Sequence, residues 1–155
     1  MPSLLNELLD PKQVVLELRA TNESQAILEI VELLRANGKV EEYYKFSDAV
    51  MEREGRSSTN TGDGVAFPHA RTDLVEKMVL GIGRSKKGVR FGEAKEPVHL
   101  IFLIGVPQRL VNDYLVCVGT LARLVGDKTI RAKLLSAGTA EELIEELRSA
   151  SLLLE

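Results

Sequence analysis

The sequence predicts an α/β domain, a mixed sheet of about five strands flanked by helices on both sides. Three observations carry this. Short apolar or β-branched runs, bounded by glycine, proline and polar clusters, dominate the middle of the chain. Before and after them, apolar residues recur at helical spacing behind capping signals. Hydrophobic residues make up 45% of the 155, enough to bury one core of ordinary size.

The elements follow in order. "VVLELR" (14–19) reads as a short strand between Pro11 and the polar "TNES". Asn22 can cap the next helix, with Gln25 in a capping-box position. Ile27, Ile30, Val31 and Leu34 supply its apolar face, and Asn37-Gly38 ends it. "FSDAVMERE" is a second, shorter helix, with Ser47 as its expected cap and Gly55 closing it. From Arg56 to Gly64 the chain is polar and Gly-rich, hence a loop.

Strands come next. "VAFPH" (65–69) is restricted by Pro68, which lacks a backbone donor, to an edge or a strand end. "MVLGIGRS" and "GVRF" read as separate strands, with the charged "RSKKG" at a solvated hairpin tip. "VHLIFLIGV" (98–106) is nearly all apolar and is expected at the centre of the sheet. A helix then spans Tyr114 to Val125. Asp127 can cap another that ends near Ser136-Ala137-Gly138. Thr139 and Glu142 form a capping box for the last, with Leu143, Ile144 and Leu147 on one face. There is no internal repeat and no linker, so residues 1–155 are expected to form a single domain. Leu154 and Glu155 are compatible with a cloning remnant and are assigned no function.

Composition narrows the function. Net charge is −3, with no basic block, which argues against nucleic acid as a partner. No apolar run is long enough to span a membrane, so no direct membrane insertion is expected. The start, "MPSLLNELLDPKQ", lacks a signal peptide's basic beginning and apolar core. The lone Cys117 excludes an internal disulfide and fits a cytoplasmic protein; its apolar neighbours make it a packed thiol. Two histidines and one cysteine make a zinc site improbable, and no metal or small cofactor is expected.

The chemistry concentrates in "STNTGDGVAFPHAR" (58–71). Gly62 and Gly64 bracket Asp63, and glycine admits positive φ and close approach of N–H groups to a ligand. Successive N–H groups in such a turn can form an anion-binding concavity. Pro68 fixes the backbone before His69. If 67–71 is extended, His69 and Arg71 project to one face. Arg53 ends the preceding helix. A neutral imidazole beside guanidinium groups and free N–H donors suits phosphoryl acceptance: the ring nitrogen attacks phosphorus while fixed charges stabilise the equatorial oxygens. The bland alternatives stand beside this. His69 could sit in an ordinary turn. Asp63 could orient His69 or simply occupy the turn. Arg56 could join the site or be a solvated loop arginine, and Arg53 could pair with Glu52 or Glu54. His99, among apolar neighbours in "EPVHLIFLIG", reads as a packing histidine.

The same run resembles the active-site signature of the enzyme IIA components of the sugar phosphotransferase system, mannitol/fructose type, a class that includes the nitrogen-regulatory IIA proteins. The family pattern is roughly Ser-Thr-Gly-x-Gly-x-Gly-x-Ala-x-Pro-His-x-Arg. Ser58, Thr59, Gly62, Gly64, Ala66, Pro68, His69 and Arg71 match it. Asn60 stands where glycine is usual, and asparagine also tolerates positive φ. "LLDPKQVVLEL", "MEREG", "VHLIFLIGVP" and the C-terminal helices resemble the family's other elements, so the likeness covers nearly the whole chain. It implies that His69 accepts a phosphoryl group from the histidine-containing phosphocarrier protein. The group then passes to a IIB domain or is held as a regulatory mark. It also implies supporting roles for Arg53, Thr59, Gly62, Gly64 and Arg71. One departure stands out. The family usually places a second active-site histidine at the start of the helix after the central strand, and here that place holds Tyr114, followed by Leu115. A phenol can donate a hydrogen bond but carries no positive charge near neutral pH. Phosphotransfer slowed by Tyr114 is one implication. The other is a regulatory or sensor domain that controls a transporter or kinase without chemistry.

Overall fold

The computed structural model describes residues 4–94 and 96–153. Leu154 and Glu155 lie outside them. Five strands form one mixed sheet. In chain order the elements are α1 (Leu4–Leu8), β1 (Val14–Val15), α2 (Glu23–Ala36), α3 (Tyr43–Arg56), β2 (Val65–Ala66), β3 (His69–Arg71), β4 (Val79–Val89), β5 (Val98–Val106), α4 (Val111–Gly126), α5 (Lys128–Ser136) and α6 (Ala140–Leu153). Strand order is β1-β4-β5-β2, with β3 also on β5. β4 and β5 are antiparallel, and the short strands join them in parallel.

The side-chain period of 2 makes β5 two-faced. Leu100, Phe102 and Ile104 join a core with Cys117, Leu121, Leu134, Leu143 and Leu147 from α4, α5 and α6. Ile101 and Leu103 join a second core with Ile27, Ile30, Phe46 and Val50 from α2 and α3. Helices therefore cover both faces.

Most caps predicted from sequence form. Asn22 accepts from the Gln25 N–H at 3.0 Å. At the other end of α2, Gly38 has φ 72°, and the Lys39 and Gly38 N–H groups bond to the Leu34 and Arg35 carbonyls, a Schellman motif. Asp127 accepts from Thr129 and Ile130, and Thr139 accepts from Glu142.

Four expectations are corrected. The first strand keeps only two residues, and a 3-10 turn (Pro11–Gln13), capped by Asp10, precedes it. α3 starts at Tyr43, so Ser47 is buried inside it instead of capping it, and it runs through Gly55 to Arg56. "VAFPH" is an edge piece, as Pro68 requires, but it splits into β2 and β3. Both halves keep one register on β5 (Val65↔Leu100, His69↔Ile104), interrupted at Phe67-Pro68. Finally, "RSKKG" is no hairpin tip. It lies within the continuous β4, where a register shift between Arg84 and Val89 absorbs Gly88 at φ 96°, while Ser85 is buried and accepts the Gly88 N–H. The turn into β5 comes later, since Val89 already pairs with Val98.

Two features place the site. Gly105 on β5 lets α3 approach: a Cβ there would lie 2.7 Å from the Phe46 ring. And β5 ends beside Arg71, through the pair Arg71↔Val106, just before a 3-10 turn (Gln108–Leu110) leads into α4. The start of α4 is thereby brought to the carboxyl ends of the parallel pair β3 and β5, where α/β sheets commonly bind ligands.

Candidate functional site

A cavity of about 460 Å³ opens at those strand ends, lined by Arg53 of α3, His69 and Arg71 of β3, and Val111 and Tyr114 of α4, with Ala49, Glu52 and Arg56 at its α3 side. His69 and Arg71 share a face because they are two apart on an extended strand. The start of α4 has no side-chain cap, and Val111 and Tyr114 of its first turns line the cavity, which brings the positive end of the helix dipole to it.

His69 is half-buried. Its Nδ1 lies 3.1 Å from the Phe67 carbonyl oxygen. A carbonyl only accepts, so Nδ1 carries the proton and the lone pair is on Nε2. Burial holds the imidazole below its ordinary pKa of 6.5; the Phe67 carbonyl opposes this, the Arg53 charge adds to it, and Glu54 opposes it more weakly. The ring is therefore neutral at pH 7.

Arg53 and Arg71 are each anchored by a backbone carbonyl. Arg53 Nη1 donates to Ser57 at 3.0 Å, and Arg71 donates from Nε and Nη2 to Gln108 at 3.3 and 3.0 Å. Arg53 does not pair with Glu52, which binds Arg56 at 3.1 Å, nor with Glu54, which is held by Thr59. The Tyr114 ring lies 5.0 Å from the His69 ring, centroid to centroid, inclined by 36°. Burial raises the phenol pKa above 10, Arg53 partly offsets this, and the phenol stays neutral in the physiological range.

The other sequence-predicted residues lie elsewhere. Thr59, Gly62 and Gly64 do not line the cavity. Gly62 and Gly64 adopt φ 90° and 81°, so backbone conformation demands glycine there. The Gly62 N–H is already taken by Asn60 Oδ1 at 2.9 Å. Asn60 itself does not use positive φ; among the described residues only glycines do. Asp63 is an exposed turn residue. His99 donates from Nδ1 to the Ser85 carbonyl at 2.8 Å, a packing role. Cys117 is buried, and burial pushes its thiol up to about 12, which leaves it inert.

Sequence reasoning weighed Glu54 only as a partner for Arg53 and missed its buried place beside Thr59. It is 4% exposed and accepts from both the N–H and the hydroxyl of Thr59 at 2.7 Å. A signal existed: it follows Phe46, Ser47 and Val50 along the buried face of α3. A larger groove, about 780 Å³, holds neither histidine. Its lining includes Glu7, Asp10, Glu41, Glu42, Asp73 and Glu76, which would repel a phosphoryl group. Among the described residues no His, Cys, Asp and Glu cluster could hold a metal, and no helix is long and apolar enough to cross a membrane.

Fold and site together define a class: an α/β domain that presents a neutral imidazole, with Nε2 free, beside two arginines at the carboxyl ends of parallel strands. Residues 7–150 match the family described as phosphoenolpyruvate-dependent sugar phosphotransferase system, EIIA 2, and the chain belongs to that family of phosphoryl carriers. It is 34% identical over 129 residues to the fructose-specific EIIA component of Haloferax volcanii, covering 83% of each chain. It is 32% identical over 142 residues to the fructose-specific EIIABC component of Bacillus subtilis, covering 91% of this chain but 22% of that longer protein. The nitrogen regulatory protein IIA-Ntr of Neisseria meningitidis has the same fold: TM-score 0.85 at 29% identity, over 94% of this chain and 99% of that one.

Proposed function

We propose that His69 is the phosphoryl-accepting residue of this chain, in the cytoplasm. It takes the group from a histidine-containing phosphocarrier protein and passes it to a IIB domain, or holds it as a nitrogen-type regulatory mark. The observation that carries this reading is the bond from Nδ1 to the Phe67 carbonyl, which leaves the Nε2 lone pair free in a cavity with two arginines.

The step balances without a base. Nε2 attacks phosphorus in line, the donor's P–N bond breaks, and the donor nitrogen keeps that electron pair. Nε2 has no proton to lose. Arg53 and Arg71 supply charge for the equatorial oxygens, and the start of α4 adds the positive end of its dipole. Tyr114 contributes packing against the ring and one neutral donor. Thr59, Gly62 and Gly64 support from behind, by shaping the loop that leads to the strand.

The test is incubation with phosphoenolpyruvate, the system's first enzyme and the phosphocarrier. The expected product is one phosphoryl group, acid-labile and alkali-stable. His69→Ala abolishes it and His99→Ala keeps it. Label persisting in folded His69→Ala protein sinks the assignment. Tyr114 favours a second reading, a sensor that controls a transporter or kinase without turnover; wild-type protein that binds the phosphocarrier yet takes no label supports it.

A further inference from the structure

We propose that Glu54 is a positioning residue for His69, acting through Thr59 and the backbone of Phe67. The proposal rests on the carrier reading above for its catalytic meaning.

Four groups are joined in sequence. The Thr59 hydroxyl donates to Glu54 Oε1 at 2.7 Å. The same hydroxyl oxygen accepts the Phe67 N–H at 3.1 Å. The Phe67 carbonyl accepts from His69 Nδ1 at 3.1 Å. The second carboxylate oxygen of Glu54 takes the Thr59 N–H at 2.7 Å, so Thr59 is held twice. The backbone of Phe67 is thus gripped on its amide side by Thr59 and on its carbonyl side by the imidazole.

The edge position of Phe67 explains why such a grip is useful. The backbone beside Phe67 still bonds to β5, Ile104 N–H to the Pro68 carbonyl at 3.0 Å, and with the strand period of 2 the polar groups of Phe67 itself face away from β5, toward the outer edge of the sheet. Phe67 N–H therefore finds its partner in a side chain. Pro68 offers no N–H at all. Thr59 takes the place of a neighbouring strand on that outer edge, and Glu54 fixes which way the hydroxyl points.

The burial of Glu54 needs this account. A carboxylate at 4% exposure is costly unless compensated. No ion pair compensates it among the described residues; the two Thr59 bonds do. A leucine would fill that helix face at lower cost but could not orient Thr59. Phosphorylation at Nε2 also gives the Nδ1-protonated ring positive character, which strengthens its bond to the Phe67 carbonyl and rewards a rigidly held acceptor.

The experiment reads the His69 tautomer by 15N NMR of histidine-labelled protein at mildly alkaline pH, together with the rate of phosphoryl acceptance. Wild-type His69 is expected in the Nδ1–H form. Thr59→Val removes the hydroxyl and keeps the bond from the Thr59 position's N–H to Glu54. It is expected to release His69 into mixed tautomers and slow acceptance about tenfold, the cost of a lost hydrogen bond. Thr59→Ser restores the Nδ1–H form and most of the rate. Glu54→Gln, whose amide accepts through one oxygen only, shifts the tautomer in the same direction, and the double variant loses little more than either alone. His99, bonded to Ser85, is the internal control and keeps its signals. Wild-type tautomer and rate in both folded single variants overturn the proposal. Because the tautomer readout needs no phosphoryl donor, wild-type protein that accepts no phosphate counts against the carrier reading, while the 15N spectra still decide the positioning role.

Discussion

The Tyr114 ring packs 5.0 Å from the His69 ring, at 36°, although one begins a helix and the other lies on an edge strand. Tyr114 holds the place where, by the resemblance, the family usually has a second active-site histidine. Tyr114→Phe keeps the packing and removes the donor, and is expected to slow phosphoryl acceptance a few-fold, on the scale of one neutral hydrogen bond, about 0.5–1.5 kcal/mol. Tyr114→His adds a group that can be charged and is expected to speed acceptance and steepen its pH dependence near neutrality. Stopped-flow or rapid-quench rates decide this; identical rates in all three proteins would leave Tyr114 a packing residue.

Arg53 adds its charge to the cavity while one edge of its guanidinium holds the Ser57 carbonyl. Arg53→Ala is expected to slow transfer about ten- to a hundredfold, the scale of a charge-assisted contact of about 1.5–3 kcal/mol. Arg53→Lys recovers part of the rate, because an ammonium lacks the planar fork. Melting temperatures of the three proteins should stay close. A rate unaffected by Arg53→Ala would place its charge outside the reaction.

The pH dependence follows from His69. Burial, reinforced by Arg53, holds its pKa below 6.5 against the Phe67 carbonyl and Glu54. Acceptance needs the neutral ring, so its rate should fall with pH through a midpoint lower than that of an ordinary imidazole. The linked stability has the same sign. A folded-state pKa below the unfolded value gives a contribution present above 6.5 and lost as pH falls through the folded pKa. Arg53→Ala removes one depressing charge and moves the inflection upward. NMR titration of the two histidines measures it, and a His69 midpoint at or above the ordinary value would contradict the burial argument.

Gly64 tests the loop. Its φ of 81° is strained for any side chain, while the space around a Cβ there is ordinary, 3.7 Å from the His99 ring. Gly64→Ala should therefore cost about 1–2 kcal/mol through the backbone alone, lowering the melting temperature by a few degrees. Thermal unfolding measures this, and an unchanged midpoint would mean that the loop relaxes freely.

What the sequence determined by itself is mostly local. Asn22, Asp127 and Thr139 cap where they were read to cap, because a cap closes its hydrogen bond within three residues. Pro68 forced an edge because a missing N–H is a property of the residue itself. The Pro-His run and the register of Tyr114 were legible through the likeness to a family. Tertiary structure decided what local signals cannot encode. Whether "RSKKG" turns back or runs on depended on β5 accepting a shifted register beside it. Ser47 looked like a cap by type, but packing of α3 on the sheet buried it within the helix. Thr59, Gly62 and Gly64 sit close to His69 in sequence yet outside its cavity, because the loop folds back along β2: Asn60 bridges Ala66, Thr61 N–H bonds to the Val65 carbonyl and Thr59 takes the Phe67 N–H. Glu54 is joined to His69 by hydrogen bonds through a threonine and a backbone that three-dimensional folding brings together. The cavity itself exists because β3 and α4 both meet the end of β5, and that meeting is fixed by sheet register between distant segments.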